Sequence, residues 1–173
     1  MFHSFENLDP TCVKNTLIFL DIDGTLLSDN QRHPSPEVKK QVAAFAKCNH
    51  LWLCTNSGNH TRNEAIEKET GIPLTRGHRK PSIKILEYVR SEASYGSFGS
   101  RPSKAELLNR KRKLPMLVIG DKVMTDGLFA WRIGAKFIKV KRKTNPTDRL
   151  FVRMYNLSDD IIYNLLKPWG MFT

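Results

Sequence analysis

The sequence predicts an α/β fold: a Rossmann-like, doubly wound parallel sheet of about five strands with helices on both faces. Short apolar runs that suit buried parallel strands alternate along the chain with segments whose apolar residues recur at helical spacing. The 173 residues are enough for one well-buried core and too few for two. We therefore expect residues 1–145 to form one domain, and residues 146–173 to form a C-terminal helical extension packed on it.

The first half of this domain is predicted to hold two strands and two helices. Residues 16–20 form an apolar run that ends at a carboxylate, and residues 51–54 form a second run. Between them, residues 36–47 carry apolar side chains at helical spacing, and Ser35 precedes them as an N-cap. Residues 61–70 are predicted to form the next helix, because glycine and proline stop the pattern just after them.

The second half continues the alternation. Residues 72–75 favour a further short strand, and Pro81 is expected at the start of the third helix. Residues 94–103 are rich in serine and glycine and predict a loop. The remaining elements are a strand at residues 116–119, a helix at 124–133 and a strand at 136–140.

Polar side chains cluster where the predicted strands end. Asp21 and Asp23 follow the first strand, separated by one residue and followed by Gly24 and a threonine, so both point toward one site. Thr55 and Asp121 follow two other strands, and ligands of such sheets bind beyond the carboxyl ends of the strands. Alone, each signal has a plainer interpretation as a turn, a strand-end hydroxyl or a fragment of a calcium loop.

Taken together, these polar residues resemble the four motifs of the haloacid dehalogenase (HAD) superfamily. The resemblance spans residues 16–140, and it implies a magnesium-dependent phosphomonoester hydrolase. The residues that carry it are Asp21 and Asp23 in the first motif, Thr55 and Asn56 in the second, Lys80 in the third, and Gly120, Asp121 and Asp126 in the fourth.

The resemblance implies a role for each side chain in phosphate transfer. Asp21 would attack phosphorus to form an aspartyl-phosphate that water then hydrolyses, and Asp23 would act first as general acid and then as general base. Thr55 would donate its hydroxyl to a phosphoryl oxygen, and Lys80 would neutralise the charge that builds up. The implied phosphate-binding set is Asp21, Asp23, Gly24, Thr55, Asn56 and Lys80.

The same resemblance implies a Mg²⁺ site. Asp21, the backbone carbonyl of Asp23, and Asp121 would hold the ion through oxygen atoms, the ligands it prefers. Asp126 would be either a carboxylate in the outer coordination sphere or a helix residue. Four histidines lack the spacing of a zinc site, and we predict solvated or capping roles for them. They are His33, His50, His60 and His78.

The intervals between the motifs leave no room for a cap domain, since one helix and its loops fill each of them. By analogy within the superfamily, an open, capless site suits a phosphate carried on a bulky molecule. Residues 76–81, 120–126 and 132–135 resemble the class III phosphatases that include phosphatidylglycerophosphate phosphatase. Gly24 departs from that group, which usually has Asn at this position. Phosphatidylglycerophosphate is the substrate that the resemblance favours.

The net charge of +11 favours anionic partners, whether phosphorylated substrates, acidic membrane surfaces or nucleic acid. Residues 104–113 contain five basic residues, and residues 136–153 contain seven. Apolar side chains in the tail predict either peripheral contact with an acidic membrane or, preferred here, a helix that buries its apolar face and keeps its lysines in water. These side chains are Phe151, Trp169, Met171 and Phe172.

Two alternative functions stay open. One is a catalytically idle HAD-fold domain that binds RNA or a ribonucleoprotein, and the other is a polynucleotide end phosphatase. No apolar segment is long enough to cross a membrane. Three cysteines without metal-site spacing are typical of reduced thiols in an intracellular protein, either cytoplasmic or mitochondrial. Nothing in the sequence indicates an oligomeric state.

Overall fold

A parallel sheet organises the computed structural model, which describes residues 2–28, 31–94, 114–144, 159 and 161–165. Within those ranges the sheet has four strands in the order β2-β1-β3-β4, and every neighbouring pair runs parallel. The strands are β1 (Leu17–Asp21), β2 (His50–Cys54), β3 (Met116–Gly120) and β4 (Lys136–Lys139). The prediction of an α/β fold with a parallel sheet is confirmed.

The register of the sheet brings the strand ends together. Asp21 pairs with Cys54 at the end of β2, and Gly120 pairs with Lys139 at the end of β4. Consequently the residues that follow β1, β2 and β3 emerge at one edge of the sheet, as predicted.

The strand expected at residues 72–75 is reduced to a single bridge, in which Leu74 pairs with Leu53. Gly71 ends the preceding helix in the left-handed conformation, with φ +69°, and Pro73 has no N–H to donate to a ladder. The bridge consists of two hydrogen bonds, from the Leu53 N–H to the Pro73 carbonyl at 2.8 Å and from the Thr75 N–H to the Leu53 carbonyl at 2.9 Å. The sheet described here therefore has four strands and not five.

Two helices follow the predicted pattern closely. Helix α1 spans Pro36–Ala46, and the Ser35 hydroxyl accepts a hydrogen bond from the backbone N–H of Val38 at 3.3 Å. Helix α2 spans His60–Thr70, and the Asn59 side chain caps its first turn. Both N-caps satisfy backbone donors that a helix start leaves unpaired.

Helix α3 spans Lys84–Ser94, so the prediction that Pro81 starts it is wrong by three residues. The side chain of Asn56 hydrogen-bonds both the N–H and the carbonyl of Lys80, which holds the Lys80–Pro81 segment outside the helix. Ser82 accepts from the Lys84 N–H at 3.3 Å, at the true start of the helix.

The helix predicted at residues 124–133 is divided in two. A π-helical turn covers Val123–Gly127, and the α-helix proper, α4, covers Leu128–Ile133. The N–H groups of Asp126 and Gly127 both donate to the Lys122 carbonyl, which produces the wide turn. Such turns are frequent at functional sites.

Side chains that alternate along β1 face opposite sides of the sheet. Ile18 and Leu20 pack with α1 and α2, whereas Phe19 packs with α3 and α4 and contacts Phe129 edge-to-face at 5.3 Å between ring centroids. Helices therefore cover both faces, as expected of a doubly wound sheet.

The C-terminal extension is described at residue 159 and residues 161–165, all of which are helical. Ile162 and Tyr163 pack against the core on the α3–α4 face. The other residues of 146–173 lie outside the described part, as does most of the loop at 94–113, so both expectations stay predictions.

No helix among the described residues is both long and apolar enough to span a membrane. All three cysteines are described, as free thiols.

Candidate active site

A cleft of about 320 Å³ opens at the carboxyl edge of the sheet. Four of the predicted site residues line it: Asp21, Asp23, Asn56 and Lys80. Ser57, Lys122 and Thr125 complete the lining. The other predicted residues lie against these, as described below, so the structure brings the predicted set together. None of the four histidines lines the cleft.

Three buried carboxylates meet at the base of the cleft. Asp21, Asp121 and Asp126 are at most 5% exposed, and each offers an oxygen within 4.8 Å of the others. The Lys80 ammonium lies among them, in contact with Asp21 and 2.6 Å from Asp126 Oδ1. Asp126, left open by the sequence, is therefore part of the cluster and not an outward-facing helix residue.

Burial controls the ionisation of this cluster. It raises the pKa of Asp21 well above its usual range; Lys80 opposes the rise, and Asp126 and Asp121 add to it. Burial, reinforced by the charge of Asp126, also raises the pKa of Asp121 to about 6. For Lys80, burial alone would lower the pKa, but Asp126 and Asp21 outweigh it and raise the pKa above the ordinary value.

The donor set fits a divalent cation. Three carboxylates lie around the Lys80 ammonium, and the Arg142 guanidinium lies 3.2 Å from Asp121 Oδ2. When all five groups are ionised, the three negative charges exceed the two positive charges, so the cluster has a net negative charge. Asp121 Oδ1 is buried without a hydrogen-bond partner among the described residues. Clustered carboxylate oxygens with spare lone pairs are ligands suited to Mg²⁺.

Two glycines allow the carboxylates to approach the backbone. Gly24 has φ +88°, and a Cβ built there would lie 2.3 Å from Asp121 Oδ2. A Cβ on Gly120 would lie 2.4 Å from the Asp126 carboxyl carbon. Side chains at either position would displace the cluster, so the site requires glycine at both.

Asp23 stands beside the cluster in a separate network. Its Oδ2 accepts the Thr55 hydroxyl at 2.6 Å, and its Oδ1 pairs with the Arg62 guanidinium at 2.5 Å. Arg62 also donates to the carbonyl of Gln31 at 2.8 Å. With both oxygens held, Asp23 has a fixed orientation at the wall of the cleft.

Several residues of the site are absent from the set that the sequence predicts. Arg62 lies on α2, whose polar composition indicates a solvated helix, yet it is only 8% exposed. The Thr25 hydroxyl donates to Asp21 Oδ2 at 3.0 Å, and Lys139 Nζ donates to the Asp121 carbonyl at 2.6 Å. Of these, Thr25 could have been found, because it directly follows the Asp-x-Asp-Gly motif.

Comparison with known proteins gives no assignment. No protein-family model matches the chain, and no curated protein does. One solved structure, of an uncharacterized protein from Listeria monocytogenes serotype 4b, aligns with 70% of this chain and 76% of its own, at 12% identity and a TM-score of 0.47. What the fold and the site define is an α/β protein with a buried carboxylate cluster at the carboxyl edge of its sheet.

Proposed function

We propose that the protein is a magnesium-dependent phosphomonoester hydrolase of the HAD type, with Asp21 as the nucleophile. The observation that carries the proposal is the Lys80 ammonium in contact with Asp21 and Asp126, next to Asp121. A buried cation beside a strand-end carboxylate favours attack on an anionic phosphate. The remaining motif residues lie around the same cleft.

Hydrogen bonds to both of its carboxylate oxygens orient Asp21 for attack on phosphorus. Thr25 donates to one carboxylate oxygen and Lys80 to the other, which fixes the carboxylate and leaves further lone pairs on both oxygens. An Asp21 oxygen forms the new bond to phosphorus as the bond to the leaving oxygen breaks, which gives an aspartyl-phosphate. Lys80 neutralises negative charge at this point.

Asp23 moves the proton in both half-reactions. It donates a proton to the leaving oxygen in the first, and in the second it takes a proton from the water that attacks the aspartyl-phosphate. Inorganic phosphate leaves and Asp21 is restored. Arg62 holds the Asp23 carboxyl at the cleft wall, and the Thr55 hydroxyl, which donates to Asp23 in the structure, would donate to a phosphoryl oxygen once phosphate binds.

The residues that would hold Mg²⁺ are Asp21 and Asp121 through their side chains and Asp23 through its backbone carbonyl. Asp126 would act from the outer coordination sphere through Lys80, which it contacts at 2.6 Å. A bound Mg²⁺ supplies charge neutralisation between the anionic nucleophile and the anionic phosphate. Asn56 fixes the backbone of Lys80 through two hydrogen bonds, and its contact with phosphate stays a prediction.

The substrate we propose is bulky and anionic, with phosphatidylglycerophosphate favoured. The described residues between β1 and β2 contain α1, and those between β2 and β3 contain α2 and α3, which is consistent with an open site without a cap. Lys122 lines the cleft and adds a cation where an anionic substrate would enter. Contact with an acidic membrane would involve the basic C-terminal region.

Phosphate release from an aryl phosphate tests the proposal. Wild-type protein should release phosphate with Mg²⁺, and EDTA or Asp21→Asn should abolish the release, whereas Glu87→Gln, an exposed carboxylate on α3, should not change it. A panel of phosphatidylglycerophosphate, DNA and RNA 3′-phosphates, sugar phosphates and phosphopeptides then ranks the substrates. Absence of Mg²⁺-dependent release from every member of the panel refutes the proposal.

A further inference from the structure

Asp159 is a buried carboxylate that the cleft does not use. It comes from the C-terminal extension, is 3% exposed, and accepts hydrogen bonds from the backbone N–H groups of Val123 at 3.0 Å and Met124 at 3.2 Å. These two residues begin the π-helical turn that carries Asp126, and Lys122, at its N-cap position, makes no side-chain cap. A distant side chain therefore caps this turn.

Lys139 joins this carboxylate to the metal-ligand cluster. Its ammonium, on β4, donates to Asp159 Oδ2 at 2.7 Å and to the Asp121 carbonyl at 2.6 Å. Both side chains of the ion pair are 4% exposed. A buried ion pair that is also hydrogen-bonded fixes local geometry, because moving either partner away costs the pairing of a buried charge.

The two side chains hold both parts of the segment that contributes carboxylates to the cluster. Lys139 holds the backbone at Asp121, and Asp159 holds the start of the turn. Inside the segment, the N–H of Lys122 donates to Asp126 Oδ2 at 3.1 Å, so a shift of the backbone would also move that carboxylate. We call Asp159 and Lys139 the C-terminal clamp.

We propose that the C-terminal clamp is a positioning device for the metal site, by which the C-terminal extension sets the affinity for a divalent cation. The inference rests on the metal site of the proposed function. Removing groups that hydrogen-bond the metal-ligating residues typically lowers metal affinity about 10- to 100-fold. The extension is thus part of the site and not only a cover for the core.

Calorimetric titration of the full chain with Mg²⁺ and Mn²⁺ tests the clamp. Asp159→Leu removes the acceptor for both backbone N–H groups and should weaken binding of both cations about 10- to 100-fold. Glu87→Leu, at an exposed position of α3, is the matched control and should bind as the wild type does. Unchanged affinity in Asp159→Leu overturns the proposal.

A second variant separates positioning from stability, because Asp159→Leu removes the carboxylate that the buried Lys139 ammonium contacts at 2.7 Å. Adding Lys139→Met removes that charge and should restore part of the thermal stability. Cation affinity should stay about 10- to 100-fold below that of the wild type, since the backbone of the ligand segment still lacks its partners. Recovery of wild-type affinity along with stability overturns the proposal.

Failure of the clamp and failure of the phosphatase proposal give different results. A wild-type protein that binds the cations and releases no phosphate refutes the proposed function and leaves the clamp in place. A wild-type protein that releases phosphate, with variants that bind the cations normally, refutes the clamp alone. A wild-type protein that binds neither cation overturns both.

Discussion

Replacing Lys80 with Met removes the cation among three buried carboxylates and retains an apolar side chain of similar length. The ammonium is 3% exposed and contacts Asp21 and Asp126. Breaking a buried ion pair by removing one partner costs about 3–5 kcal/mol, because the remaining charge is uncompensated. For a domain of this size, that corresponds to a fall of about 6–20 °C in Tm.

Magnesium should reverse part of this loss. Without Lys80, the cluster has one positive charge fewer, so it should bind Mg²⁺ more tightly than the wild type does. Each tenfold gain in affinity recovers about 1.4 kcal/mol at saturating cation. We therefore expect the stability gap between Lys80→Met and the wild type to narrow in Mg²⁺, although the variant releases no phosphate.

Thermal unfolding followed by circular dichroism, in EDTA and in Mg²⁺, checks both expectations. Lys84→Met, at an exposed position at the start of α3, is the control and should leave Tm unchanged in both conditions. An equal loss of Tm in EDTA and in Mg²⁺ would refute the expected gain in cation affinity on removal of Lys80. A loss no larger than that of the control would refute the buried ion-pair network itself.

Three further substitutions probe the site. Burial raises the pKa of Asp121 from 3.8 to about 6, so ionising this carboxyl costs about 3 kcal/mol in metal-free protein. The free energy of unfolding of the wild type should therefore fall relative to that of Asp121→Asn as pH rises from 4 to 6. Denaturant titrations that give parallel pH curves for the two proteins would contradict this. Gly24→Ala and Gly71→Ala both place alanine at positive φ, which should destabilise the fold by about 1–2 kcal/mol in each variant. Only the Cβ at position 24 would meet Asp121, so calorimetry should show a loss of Mg²⁺ affinity in Gly24→Ala alone. Equal Mg²⁺ affinities of the two variants would refute this contact. Arg62→Lys keeps the charge and loses the planar fork that holds the proposed general acid, so kcat should fall by up to about 100-fold. Arg90→Lys, at an exposed position of α3, is the control and should leave kcat unchanged. Equal kcat values in steady-state assays of the two variants would refute the positioning role of Arg62.

The placement of Asp21 at a strand end could be predicted because it depends on local pattern and on one general rule. An apolar run followed by Asp-x-Asp-Gly indicates a buried strand and a turn, and strand ends of a parallel sheet meet at one edge. Asp121 follows from the same reasoning on β3. These positions need no knowledge of how side chains pack.

Arg62 and Asp159 could not be predicted, because their burial depends on contacts remote in sequence. Arg62 pairs with a carboxylate that is 39 residues away, and Asp159 caps a turn that begins 36 residues before it. Helical periodicity assigns such charged residues to solvent, since it counts apolar positions only. Their partners become visible only when the sheet and the loops are assembled.

The predicted start of α3, at Pro81, precedes the observed start, at Lys84, for a related reason. Pro81 has the residue type that suits a first helical turn, but the side chain of Asn56 holds Lys80 through two backbone hydrogen bonds. That contact crosses from the end of β2 to the third motif. A tertiary contact at the site therefore overrides the local helix signal.

The measurement that tests the central claim most directly is the identification of the phosphorylated residue during turnover. Wild-type protein and Asp23→Asn would be mixed with an aryl phosphate, whose leaving group needs no acid, in Mg²⁺, then quenched in acid and mapped by peptide mass spectrometry. Phosphate should appear on Asp21 and accumulate in Asp23→Asn, which lacks the base for the second half-reaction. Phosphate on another residue, or none on the protein while release proceeds, would contradict the account.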